Sequence, residues 1–302
     1  MDSLPLVLNQ LFNGLSLGSL YLLAALGLSL SFGLMRVINM AHGEMLMVGG
    51  YLAFLTLQVV PGDLGLLIAM PVAFAGAAIM GLFVQTGLIR RLAARPLDTL
   101  LATWGLSLIL QQAARDLFGP IGVEVRAPAW LSGSVSFASG PLAGVTIPTT
   151  RMAIIALTLA VLLALALLIS RTRLGLLVRA VNQDRMMASA TGIDVKRIDL
   201  AMFCLGTAIA GVAGVALALL GPVTPSVGQS YIIPAFLVVV LGGLGSLVGT
   251  TIAAFMLGLF SAIAQIFVDV SVAQMLLLVF VILFLQVRPQ GVIAQRSRAL
   301  DV

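Results

Sequence analysis

Charge is what this chain lacks first: Asp, Glu, Lys and Arg together supply 9% of its 302 residues, where a soluble domain carries about 25%. That scarcity excludes an ordinary water-facing surface. The one cysteine, Cys204, sits in an apolar run, so no intrachain disulfide forms and the redox compartment stays open. There is one histidine, His42, and one lysine, Lys196. Zinc sites need three or four ligands; without a second histidine, an H-E-x-x-H pair or a nearby cysteine, His42 and Glu44 are the only foothold for an intramembrane hydrolase, and a thin one. No G-x-x-x-x-G-K-[ST] segment occurs either, so this polypeptide builds no ordinary phosphate-binding loop.

What is present is hydrophobic: 61% of the residues are apolar and the mean hydropathy is +1.17. Several runs reach the roughly 20 residues an α-helix needs to cross a ~30 Å hydrocarbon core, without the alternation of a barrel strand. The fold class is therefore an all-α polytopic membrane protein, a single domain over 1–302. Expected segments are 9–34, 37–60, 63–89, 98–117, 151–170, 199–220, 231–247, 250–268 and 272–287, eight or nine in all, with one or two broken or re-entrant. The first follows Asp2 and is longer than a signal-peptide core, so it reads as a retained helix.

The net charge of +5 does not indicate nucleic acid, because the basic residues form short clusters between apolar runs. They fall at Arg36, at Arg90, Arg91 and Arg95, from Arg171 to Arg197, and at Arg288, Arg296 and Arg298. Placing these loops in the cytoplasm puts the N-terminus on the opposite face and the C-terminus inside. Residues 118–150 then form an external loop or hairpin, with Trp130 as an interfacial anchor or, less favoured, a partner contact.

Two segments read as interrupted. The stretch 37–60 opens on "INMAHGE", which sets Asn39, His42 and Glu44 among apolar residues, and 231–247 contains Pro234 and ends in Gly242, Gly243 and Gly245, with Gly249 beyond. Clustered glycines either break a helix or let helices approach closely, as Gly14 with Gly18 and Ala210 with Gly214 are expected to do. Paired interruptions point to a transport path. Asn39, His42 and Glu44 either hydrogen-bond backbone at an irregular helix start, with Asn39 as N-cap, or contact substrate.

The longest polar segment, 171–198, contains apolar residues at near-helical spacing between Gly175 and Gly192. One amphipathic helix ending at Gly192 follows. It either rests on anionic lipid or presents Met186 and Met187 to a soluble partner as adaptable apolar knobs.

"INMAHGEMLMVGGY", "GIDVKRIDLAMFCLGTAIAGVAGV" and "LGGLGSLVGT" resemble the LivH-type permeases of ATP-driven importers for branched-chain amino acids, and the resemblance covers nearly the whole chain. Within that family "RPLDTLLATWGLSLILQQAARDLFGP", "APAWLSG", "GQSYIIPAF" and "VRPQG" look most like the urea permease (UrtB) branch, from which Pro234 departs where that branch has an acid. The resemblance implies a bacterial inner-membrane permease subunit, paired with a homologous permease, two ATP-binding subunits that hold Mg-ATP, and a periplasmic binding protein. It implies no cofactor on this chain and no enzymatic activity of its own. Arg179, Arg185, Met186, Met187, Ser189 and Gly192 would belong to a cytoplasmic coupling helix. Urea or short amides would be the substrate, with branched-chain amino acids the alternative and a stand-alone channel or secondary transporter a more distant one. Asn39, His42, Glu44, Gln229 and Ser246 are the candidate pathway residues.

Overall fold

The computed structural model describes residues 3–35, 37–93, 95–136 and 145–293. Arg36, Arg296 and Arg298 lie outside these. The order is α1 (Ser3–Met35), α2 (His42–Val59), α3 (Asp63–Val84), a π-turn at Gln85–Ile89, α4 (Arg90–Leu92), α5 (Pro96–Phe118), β1 (Ser134–Ser136), β2 (Thr146–Pro148), α6 (Thr149–Arg171), α7 (Arg173–Gln183), α8 (Arg185–Ala190), α9 (Val195–Ala218), α10 (Val227–Gly242), α11 (Leu247–Ala264) and α12 (Val270–Val287). Helices dominate because a chain in hydrocarbon must satisfy each N–H and C=O within itself. Each of the nine expected segments coincides with a helix. Among the described residues six spans are long and apolar enough to cross a membrane, and α10 is a shorter apolar helix. The remaining two, α2 and α5, carry more polar residues, of which Glu44 of α2 and Ser107 and Gln111 of α5 face each other.

Burial separates centre from periphery. The apolar windows of α1 and α9 are 83% and 78% buried, against 17% for both α6 and α12. Glycine lets the central helices meet backbone to backbone: a Cβ on Gly27 would strike the Gly206 carbonyl, and one on Gly49 the Gly211 carbonyl. Gly14 and Gly18 pack against α11, and Gly214 against the Leu46 carbonyl of α2, as their spacing indicated.

Both interrupted segments are interrupted, though not as first drawn. The chain leaves α1 at Met35 and resumes helix only at His42. His42 Nε2 lies 3.2 Å from the Ala24 carbonyl, eleven residues back along α1, or about 16 Å from its end. α2 therefore starts inside the bundle. α10 starts at a similar depth, since Tyr231 meets Tyr21 at 6.4 Å and Phe236 meets Phe32 at 6.2 Å. Gly43 and Gly228, in the first turns of α2 and α10, touch through their backbones.

The second break lies at Gly243 (φ 95°) and Gly245 (φ 81°), with Gly242 as the last residue of α10. Gly249 is not part of it. It lies inside α11, where its amide bonds Ser246 Oγ at 3.1 Å and its Cα packs on Gly242. The carbonyls ending α10 are taken by the chain's tail, Val292 N to Leu241 O at 2.7 Å and Ile293 N to Gly242 O at 3.3 Å. Between α5 and α6 the described residues form a short turn at Ala129–Leu131, which leaves Trp130 52% exposed, and the antiparallel pair β1–β2.

Gly49→Val sets a branched side chain against immovable backbone. We expect a loss of about 1–3 kcal/mol, read as a lowered melting temperature of the detergent-purified chain, whereas the same change at the uncrowded Gly105 leaves only the smaller helix-propensity effect.

Candidate functional site

Asn39, His42 and Glu44, at and just before the start of α2, are each 1% exposed, but His42 faces α1 and Glu44 faces α5. Asn39 does not cap the helix. Its Oδ1 accepts from Ala41 N at 3.0 Å in an Asx turn, its carbonyl accepts from His42 N at 3.3 Å, and Ala41 occupies the cap position. Glu44 lies in the first turn of α2, where the helix dipole favours a carboxylate. Its Oε1 accepts from Ser107 Oγ at 2.8 Å and from Gln111 Nε2 at 2.9 Å, and Gln111 also donates to Ser107 at 3.1 Å.

These partners belong to a stripe on α5 that sequence reading missed. Thr99, Thr103, Ser107 and Gln111 recur every four residues and are all buried, which places them on one helix face. Thr103 Oγ1 accepts from Met40 N at 3.1 Å, and Thr99 Oγ1 donates to Leu92 O at 2.8 Å. The spacing was the available signal, masked by the apolar residues between. Among the described residues Asn39 Nδ2, His42 Nδ1 and Glu44 Oε2 have no hydrogen-bond partner. Three unpaired polar atoms in one buried motif mark a polar site at the depth where α2 and α10 begin.

The 171–198 segment forms a second site. The expected single helix is two, α7 and α8, because Asp184 adopts an extended conformation (φ −155°) and its Oδ1 accepts from Met186 N and Met187 N at 2.9 and 3.0 Å. Gly192 (φ 88°) ends the pair, as expected. The two arginines, both exposed, reach back to helix ends. Arg179 Nη1 donates to Ile169 O at 2.7 Å near the end of α6, and Arg185 Nη1 donates to Leu34 O at 2.7 Å near the end of α1. Each cation thus meets a helix C-terminus, where carbonyls lack partners and the dipole is negative. Arg185 also pairs with Asp199 at 2.5 Å, a carboxylate whose side chain is 12% exposed. Val181 and Ala188 are buried beneath, while Met186 and Met187 stand 85% and 66% exposed. Ser189 is exposed beside them.

A cavity of about 300 Å³ joins this segment to the glycine break, with Gly33, Arg179, Asn182, Met202, Gly245 and Ser246 in its wall. Ser246 thus serves as the N-cap of α11 and lines a cavity. Gln229, by contrast, is exposed in the first turn of α10. Gly14-Leu15-Ser16-Leu17-Gly18 spells G-x-S-x-G, but it lies within α1 and not on the strand-to-helix turn that a nucleophile elbow requires.

Interrupted helices meet inside a bundle, with an amphipathic segment clamped across helix ends, an arrangement suited to a helical membrane transport protein. The chain belongs to the family described as the permease component of branched-chain amino acid transport systems, whose model matches residues 10–286. It is 35% identical over 300 residues to the high-affinity branched-chain amino acid transport system permease protein BraD of Pseudomonas aeruginosa, covering 95% of this chain and 96% of that one. With the LivH permease of the Escherichia coli system it shares 32% identity over 298 residues, again 95% and 96%. The ribose import permease protein RbsC of Escherichia coli is 29% identical over 262 residues, 83% of this chain and 76% of that protein. No solved structure matches.

Glu44→Gln retains an acceptor for Ser107 and Gln111, whereas Glu44→Leu takes the acceptor from the Ser107 hydroxyl and leaves Gln111 only its bond to Ser107, at a cost of about 1–3 kcal/mol for a buried group left unsatisfied. Thermal unfolding of the purified variants should therefore rank wild type and Glu44→Gln close together, with Glu44→Leu well below.

Proposed function

We propose that this chain is the permease subunit of an ATP-driven importer for branched-chain aliphatic amino acids. The observation that carries the substrate class is the match over 95% of the chain to BraD and LivH, both named for branched-chain amino acid transport. The urea-like motifs noted in the sequence make urea the competing substrate. In the proposed assembly a homologous permease stands alongside, two ATP-binding subunits hold Mg-ATP on the arginine-rich face, and a binding protein delivers substrate to the other face. That arrangement puts the N-terminus outside the bacterial inner membrane and the C-terminus in the cytoplasm, following the positive-inside rule.

Within this reading, α7 and α8 are the coupling element. Met186 and Met187 supply the apolar contact with an ATPase, and Arg179 and Arg185 tie the element to the ends of α6 and α1. ATP-driven closure of the ATPases displaces α8. Arg185 carries that displacement to α1 and, through Asp199, to α9. Because Gly33 of α1 packs on Gly245, movement of α1 alters the glycine break and the cavity beside it. The polar groups around Glu44 lie where the interrupted helices meet and are sealed in the present conformation. Alternating access would expose them.

Three measurements test this. Equilibrium binding to the cognate binding protein should show leucine, isoleucine or valine bound and urea not; the reverse result moves the assignment to urea. Replacing Met186 and Met187 with Asp should abolish ATPase co-purification while membrane insertion persists; unchanged co-purification removes α8 from the interface. Asp199→Asn should leave the complex assembled but lower substrate moved per ATP hydrolysed several-fold, and an unchanged ratio would show that the ion pair only stabilises the fold.

A further inference from the structure

At the end of the bundle away from α7 and α8, the first turn of α6, the start of α12, the end of α11 and the early part of α1 enclose a cavity of about 340 Å³. Ligand pockets generally occupy roughly 300–1,000 Å³. Its polar wall includes Gln10, Ser261, Gln265 and Gln274, the rings of Tyr21 and Tyr231 close it inward, and the one charged group lining it is Arg151. No carboxylate pairs with that guanidinium among the described residues. Four of the other polar side chains are held in place: Gln10 donates to the Ala262 carbonyl, Asn13 Nδ2 donates to Gln10 Oε1 at 3.1 Å, and Gln265 Nε2 donates to Ser261 Oγ at 3.0 Å. Arg151 is therefore an unpaired, half-buried cation facing an ordered set of amides and hydroxyls.

Tyr231 is also a wall of a second cavity, of about 150 Å³, bounded by Leu46, Leu217, Val223 and Val227. A cationic, hydrogen-bonding chamber and an apolar one share this single ring. The first chamber alone offers Arg151 to an oxyanion and Leu17, Val270 and the two tyrosine rings to an aliphatic group, so it suits a small molecule that carries both.

The geometry points to an oxyanion-binding site at Arg151, whose ligand is the α-carboxylate of the transported amino acid, its aliphatic side chain directed towards Tyr231. The guanidinium supplies a fixed positive charge and paired N–H donors matched to two oxygens. The amide and hydroxyl groups around it can accept from an ammonium without adding a competing negative charge. A lipid headgroup phosphate presents the same oxyanion chemistry at a membrane-facing mouth, so the two sources must be separated by experiment. The amino-acid assignment rests on the substrate reading above. The oxyanion site itself does not.

The test uses the full chain in nanodiscs made with neutral lipid or with added phosphatidylglycerol, and measures binding of labelled L-leucine with leucinamide and urea as competitors. Wild type should bind leucine and be unaffected by leucinamide or urea, Arg151→Gln should weaken leucine binding at least tenfold, and Arg151→Lys, which keeps the charge but loses the paired donors, should fall between the two, an order that misfolding would not produce. Arginine-dependent retention of phosphatidylglycerol with no leucine binding would support the site and assign it to lipid, overturning the amino-acid ligand. If Arg151→Gln changes neither ligand, the site is overturned. Uptake by the assembled importer in proteoliposomes keeps the two readings apart: a wild type that moves urea and not leucine refutes the substrate reading, whereas leucine uptake indifferent to Arg151→Gln refutes this inference.

Discussion

Hydrocarbon offers no hydrogen bonds, so every departure from helix inside this protein has to be closed by the chain itself. The architecture follows from how three such departures are closed. Between α1 and α2, Asn39 folds its own backbone into an Asx turn and Thr103 receives the Met40 amide. At the end of α10, residues 292 and 293 return to take two carbonyls. At the ends of α1 and α6, Arg185 and Arg179 reach carbonyls that no helical N–H can serve.

That requirement also ties structure to proposed activity. An arginine that satisfies the end of a membrane helix cannot move without either dragging the helix or exposing its carbonyl. In the proposed mechanism the α7–α8 segment is thus tied to α1 and α6 through these two arginines. The glycine contacts act in the same direction. Where Gly27 meets Gly206 and Gly33 meets Gly245, backbones touch without intervening side chains, which in the proposed mechanism leaves no rotamer change to absorb a displacement. Two polar features stand apart from this frame: the Glu44 cluster, sealed at the inner ends of α2 and α10, and the Arg151 chamber at the opposite mouth.

Much of the fold was legible in the sequence because its determinants are local. Apolar length located the helices, charge located the loops, and glycine and the "INMAHGE" stretch marked the interruptions. The misses have local explanations too. Gly249 resembled its neighbours at 242–245, but a break ends where a cap begins, and Ser246 is that cap. Asp184 split the amphipathic helix because its carboxylate serves the amides of Met186 and Met187 better than it serves a continuing turn. The Thr99–Thr103–Ser107–Gln111 stripe and Arg151 passed unnoticed because each polar residue, taken singly, is unremarkable in a helix or at its mouth.

The sequence by itself determined that this is a multi-helix membrane protein of the branched-chain amino acid permease family, that helices would be interrupted near Asn39 and Gly243, and that Met186 and Met187 would be presented on an amphipathic segment. Only the tertiary structure decided that α2 and α10 begin face to face inside the bundle, that Arg179 and Arg185 reach back to helix ends, and that Arg151 faces a polar chamber. Periodicity and composition report what a residue's neighbours along the chain are. A buried polar group's role depends on the partner it finds across space, 63 positions away for Glu44 and Ser107, and no one-dimensional pattern carries that distance.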